Sequence, residues 1–173
     1  LQAGKATATE GHTINSFSDG TLQVTSSRYP FCARGDLNDE YSLRSGMTLV
    51  PFAEDLNRFV LKVTGATAGR YRVQWGEASR DYSADELSAG VLLAIDFPEN
   101  PFCEAFDRVD GAVAAKQAFE TTQVKKIFHG PEGRADFEKA VADTEAERAP
   151  LAEAVAAAMA PVKHTIQIVK MAQ

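Results

Sequence analysis

The feature that most limits what this chain can fold into is a change of chemistry near residue 100, followed by a change back. The first 100 residues hold 11 Ala, whereas the last 73 hold 17, gathered in runs such as Gly111-Ala-Val-Ala-Ala115 and Val155-Ala-Ala-Ala158. Alanine is the best helix former, and the β-branched and aromatic residues that dominate the first part favour strands, so strand chemistry precedes helix chemistry. The tail His164-Thr-Ile-Gln-Ile-Val169 is again β-branched and alternating. A chain that starts as strands, continues as helices and ends as a strand must bring its end back to its beginning. The prediction is an α+β fold: an antiparallel sheet or sandwich of the N-terminal strands plus the C-terminal strand, with a helical segment packed on one face. No repeat or low-complexity linker interrupts the chain, so it reads as one domain over 1–173: 1–100 mainly β, 101–161 mainly α, and 162–173 the returning strand.

Local signals place the elements. His12-Thr-Ile-Asn-Ser-Phe17 and Leu22-Gln-Val-Thr25 flank Asp19-Gly20, the dipeptide of a tight hairpin turn. In Phe59-Val-Leu-Lys-Val-Thr64 and Arg70-Tyr-Arg-Val-Gln-Trp75, apolar residues fall at every second position, which predicts an antiparallel pair joined by Gly65–Gly69. A further strand follows at Ser79–Tyr82. Ser83-Ala-Asp-Glu86 is a capping box that opens a short helix, and Gly90 closes it. Asn100-Pro101 opens a longer helical stretch that ends at His129-Gly130-Pro131. Residues 134–148 read as another helix, and Pro150 fits the first turn of the next, which stops at Pro161. Lys5-Ala-Thr-Ala-Thr9 reads as a strand reaching back toward Leu1 and pairing with the tail. The start at Leu1 rather than Met fits a piece of a longer protein.

Charge removes some classes of partner. Eighteen Lys and Arg against 24 Asp and Glu give a net charge of −6, which offers no overall attraction for nucleic acid or an anionic membrane. No apolar run approaches the ~18–20 residues of a membrane span. Neither Gly-x-Ser-x-Gly nor a Gly-Asp-Ser start is present, and Ser18-Asp19-Gly20 is explained by its turn. His12, His129 and His164 are the only imidazoles. His129 fits a helix C-terminus, and the other two lie on predicted strands, where a hydrogen-bonded ring is commoner than a ligand. Asp36-Leu-Asn38-Asp39-Glu40 spaces oxygens as a calcium loop does, yet Tyr41 and Met47 stand where such a loop needs glycine and glutamate, so a solvated loop is expected. The residues call for no metal or cofactor, and they carry no catalytic motif of their own. Cys32 and Cys103 each follow Pro-Phe, and either a disulfide between them or two buried free thiols fits.

A string of motifs carries a family resemblance. Gly11-His12-Thr-Ile-Asn-Ser-Phe17, Ser26-Ser-Arg-Tyr-Pro-Phe-Cys32, Val50-Pro-Phe52, Leu56-Asn-Arg-Phe59, Val73-Gln-Trp-Gly76, Asn100-Pro-Phe102 and Pro161-Val-Lys-His-Thr-Ile166 cover nearly the whole chain in order. Together they resemble the region downstream of the catalytic domain in exported bacterial SGNH (GDSL-type) hydrolases of planctomycete-like character. The pattern departs at Leu92, where Asn is expected, and at Cys103, where Ser is expected. The resemblance implies an accessory region without catalytic residues, partnered with an upstream SGNH-type domain that cleaves acyl or acetyl esters, those of carbohydrates among them. It also implies export to the periplasm or beyond. A carbohydrate-binding module and a protein-interaction or assembly domain are the competing readings.

Five residues are candidates for binding. Asn57 and Arg58 stand where a loop enters the main hairpin, and Arg28 and Tyr29 leave the first hairpin in a comparable position. For the arginines, a bidentate pair with a buried carboxylate competes with contact to the neighbouring domain's cleft. Trp75, with Tyr71 and Tyr82, is the available sugar platform, although Trp75 and Tyr71 share the apolar strand face and core packing explains both.

Overall fold

The computed structural model describes residues 4–172. Its elements run in the order β1 (His12–Ser18), β2 (Thr21–Ser26), α1 (Leu43–Gly46), α2 (Phe52–Asp55), β3 (Val60–Leu61), β4 (Arg70–Trp75), β5 (Ala78–Ser83), α3 (Ala84–Ala89), β6 (Val91–Leu92), α4 (Leu93–Asp96), α5 (Cys103–Thr122), α6 (Pro131–Ala135), α7 (Phe137–Ala158) and β7 (Val162–Lys170). A single 3-10 turn spans Met47–Leu49, and α5 continues into a π-helical stretch at Gln123–Phe128. The α+β class is as the composition shift predicts. The chain forms two compact units, one of residues 1–103 with 161–173 and the other of 104–160.

The first unit holds a five-stranded antiparallel sheet in the order β1-β2-β7-β4-β5. The hairpin turns at Asp19 (φ 48°) and Gly20 (φ 77°), the two positive φ angles that a two-residue turn of this hand requires. The last strand of the chain is the central strand of the sheet. Leu22 faces Ile166 on one side of β7, and Val73 faces Ile168 on the other. The tail therefore returns to the first strands, but its partners are β2 and β4. Residues 5–9 form no strand, and Leu1–Ala3 lie outside the described residues. A run of Ala and Thr has too little apolar surface to hold an edge position.

The predicted pairing of 59–64 with 70–75 is also corrected. Both edges of β4 are taken, by β5 and β7, and β3 pairs with β6 in a separate two-stranded ladder. Leu61 and Val63 are buried as their alternation predicts, and the Val63 N–H donates to the Leu87 carbonyl at 2.8 Å. The capping box is present, with Ser83 Oγ accepting from the Glu86 N–H and Glu86 accepting from the Ser83 N–H. Trp75, Phe97, Phe102, Leu87, Leu93 and Val73 are fully buried, and each large side chain contributes roughly 1.5–3 kcal/mol by leaving water.

In the second unit Gln123, buried in the π-helical stretch, donates to Thr144 Oγ1 at 3.0 Å and Glu145 Oε1 at 3.2 Å on α7. Arg148 of α7 pairs with Glu145 on its own helix and reaches Glu120 of α5. Helix α7 runs unbroken through Pro150, so the two helices read from the sequence are one. The ring costs one backbone hydrogen bond there, and thirteen preceding helical residues, 137–149, outweigh it. Among the described residues no helix is long and apolar enough to cross a membrane.

Candidate functional site

The inward face of the sheet carries a line of polar side chains. Register places His12 of β1 opposite Ser26 of β2, and His164 on the adjacent β7. His12 Nδ1 lies 2.8 Å from Ser26 Oγ, Ser26 Oγ lies 2.9 Å from His164 Nε2, and the Trp75 indole N–H donates to His164 Nδ1 at 3.1 Å. An indole can only donate, so His164 Nδ1 carries no proton and the neutral ring holds its proton on Nε2. That N–H donates to Ser26 Oγ, which leaves the serine hydroxyl to donate to His12 Nδ1. The result is a one-way chain, Trp75 to His164 to Ser26 to His12.

Aromatic rings enclose it. Phe59 stacks on Trp75 at 5.2 Å between centroids and meets His12 edge-on at 5.1 Å, and Phe102 lies 4.9 Å from the His164 ring. Burial in this surround pushes the His164 pKa down to about 4, with the nearby His12 adding to the effect. Burial also lowers the His12 pKa, and the Arg28 charge lowers it further. Both rings are therefore neutral at neutral pH. A serine whose hydroxyl points at an imidazole has the form of a nucleophile and base. Ser26 is completely buried, however, so no substrate can reach Oγ, and the chain pins β1, β2, β7 and β4 together instead. Sequence reading placed His12 and His164 on strands but missed this network, because its members are up to 152 positions apart and only the register joins them.

The predicted binding residues separate. Trp75 is completely buried and Tyr71 nearly so, which removes both as sugar platforms. Asn57 is buried and clamps Phe31 from both sides, accepting from its N–H at 2.8 Å and donating to its carbonyl at 3.0 Å. Arg58 and Arg28 are exposed, and among the described residues neither meets the buried carboxylate that a structural role would need. Tyr29 is half-buried, its ring 5.4 Å from Phe102. Cys32 and Cys103 are free, buried thiols. Both meet Asn100: its side chain lies 3.8 Å from Cys32 Sγ, and its N–H donates to Cys103 Sγ at 3.4 Å. No group of three or more His, Cys, Asp or Glu able to hold a metal ion occurs among the described residues.

The segment from Leu37 to Val60 is unlike the rest of the first unit. It is tied down by Asn57, by Arg44 donating to the Ala33 carbonyl at 3.1 Å, and by Phe31 packing on Phe52. Yet Tyr41 is 90% exposed, Leu49 84% and Leu56 75%, with Leu37, Leu43, Val50 and Val60 also open to solvent. Large apolar side chains concentrated in this way are uncommon on the surface of a monomer.

No protein-family model matches the chain, and no curated protein matches it. Among solved structures, one described as "BT4096 a gut microbial diltiazem-metabolizing enzyme" is similar, with a TM-score of 0.60 at 18% identity. The match covers 94% of this chain and 46% of that one, so this chain spans about half the length of its structural neighbour. At that identity the likeness concerns the fold.

Proposed function

We propose that this chain is an accessory region of an ester hydrolase of the SGNH (GDSL) type, which supports the catalytic domain and borders its substrate cleft. The observation that carries the reading is the exposed apolar segment Leu37–Val60, which an adjoining domain would cover. Two further observations support it. The motif string described above runs through the whole chain, and the structural neighbour is an enzyme of which this fold makes up less than half. The serine chemistry would then belong to the adjoining domain, since Ser26 is sealed from solvent. The whole protein would act on carbohydrate esters outside the cytoplasm.

The test compares the purified chain with a longer protein extended upstream of Leu1, using an aryl acetate as substrate. The longer protein should turn it over and this chain should not. Turnover by the chain alone would sink the proposal. In the longer protein, Leu49→Glu with Leu56→Glu should split a single melting transition into two; a transition unchanged by both charges would place the domain contact elsewhere.

A further inference from the structure

The outward face of the sheet is the reverse of its core face. Alternation along β2, β4 and β7 turns Thr21, Gln74, Arg72, Lys163, Thr165 and Gln167 away from the core, and all of them are open to solvent at least in part. Together with Pro101, Val169 and Met171 they line a depression of about 440 Å³ that continues into a second of about 220 Å³. The two share Gln74 and Gln167, so they form one trough across β7 and β4. Every residue of the trough belongs to the first unit.

Two properties of this trough select a ligand. The first is unspent hydrogen-bonding capacity. Thr21, Lys163, Thr165 and Gln167 make no hydrogen bond with their side chains among the described residues, and Gln74 makes one, to the Gly76 carbonyl. Amides and hydroxyls that both donate and accept suit a polyhydroxylated ligand. The second is charge. The outward face presents Arg70, Arg72 and Lys163 against Asp81, with Glu86 at its edge near enough to feel the Arg70 charge, and the Asp81 carboxylate accepts from Nε and Nη2 of Arg72 at 2.7 and 3.0 Å. Among the described residues Nη1 of Arg72 makes no hydrogen bond. This face is cationic on a chain whose net charge is −6. Among the described residues no aromatic ring of the sheet lies on it to stack a nucleobase, because Tyr71 and Trp75 face the core.

We propose that the outward sheet face binds an acidic polysaccharide, with Lys163 and Arg72 meeting carboxylates and Gln74, Gln167, Thr165 and Thr21 meeting hydroxyls. Binding depends on this face alone and goes beyond the accessory role above. The direct test is electrophoresis of the chain through a native gel containing polygalacturonate, beside gels containing neutral dextran or single-stranded DNA. Retardation by polygalacturonate only is the expected result. Lys163→Ala combined with Gln167→Ala should weaken it about tenfold, since a charge-assisted contact is lost. Lys125→Ala, which removes an exposed cation of the helical unit, should leave it unchanged. Thermal midpoints of the variants should match the parent, because these side chains support no other. No retardation by polygalacturonate, equal retardation by DNA, or full retention in the double variant would each overturn the proposal.

Discussion

The indole N–H of Trp75 donates to Nδ1 of His164 at 3.1 Å, and that bond decides which nitrogen of the imidazole carries its proton. Protonating the ring puts a hydrogen on Nδ1, which then opposes the indole N–H inside a closed aromatic surround. The unfolded ring titrates near 6.5 and the folded ring at about 4, so between these values only the unfolded state holds the proton. The stability tied to His164 is complete above about pH 6.5 and is lost as pH falls toward 4, by an amount on the order of 3 kcal/mol. The lowered His12 pKa acts in the same direction. Urea unfolding should show a lower midpoint at pH 4.5 than at pH 7.5, and His164→Gln should flatten that difference. An equal loss in both proteins would acquit His164.

Removing the middle of the chain tests its direction. Ser26→Ala deletes the group that accepts from His164 and donates to His12, and leaves a buried Nε2–H without a partner. The cost should be about 1–3 kcal/mol, read as a shift in denaturant midpoint at unchanged slope. The nitrogen resonances of His164 should still show an unprotonated Nδ1, since Trp75 holds that atom. In Trp75→Phe the tautomer preference should weaken.

These residues also show what can be read without coordinates. Asp19-Gly20 was legible because a hairpin turn is decided by neighbours in sequence. The tail was legible as a strand because its alternation needs a buried face. Alternation says which side chains point inward but nothing about the partner strand, which is why the sequence of Phe59–Thr64 suggests β4 as its partner when the partner is β6. The Trp75-His164-Ser26-His12 chain had no local signal at all. It exists only once β7 enters between β2 and β4, 138 residues after Ser26. Pro150 misled for a different reason: a proline's local preference for a helix start was overridden by a helix already under way.

Because β7 is central, its loss differs in kind from the loss of an edge strand. Deleting residues 162–173 removes both ladders that join β1-β2 to β4-β5. It also exposes the partners of His164, Ile166 and Ile168. The shortened chain should lose its cooperative unfolding transition, followed by far-ultraviolet circular dichroism. Ile168→Ala alone should cost about 2–5 kcal/mol. A cooperative transition retained in the deletion would contradict the central position of β7.

Adjacent residues Asn57 and Arg58 should behave oppositely. Asn57→Ala breaks two hydrogen bonds to the Phe31 backbone at a buried site, for a loss of about 1–3 kcal/mol. Arg58→Ala removes an exposed side chain and should stay within about 0.5 kcal/mol. In the longer protein, a raised KM in Arg58→Ala with an unchanged melting temperature would assign this residue to the cleft.

Two glycines of the helical unit should give shifts of opposite sign. A Cβ at Gly133 would stand 2.4 Å from the Phe128 carbonyl oxygen and 2.8 Å from that of Ile127, and both are backbone atoms that cannot swing aside. Gly133→Ala must therefore push α6 away from the end of the π-helical stretch, where Phe128 packs against Phe137 at 5.2 Å. A Cβ at Gly111, exposed within α5, meets nothing within 4 Å. There glycine only adds freedom to the unfolded chain, so Gly111→Ala should stabilise by about 0.5–1 kcal/mol. Thermal unfolding of the two variants beside the parent decides the matter, with the midpoint falling for Gly133→Ala and rising for Gly111→Ala. A midpoint at Gly133→Ala equal to or above the parent would mean that α6 does not approach the Phe128 carbonyl as closely as the structure places it.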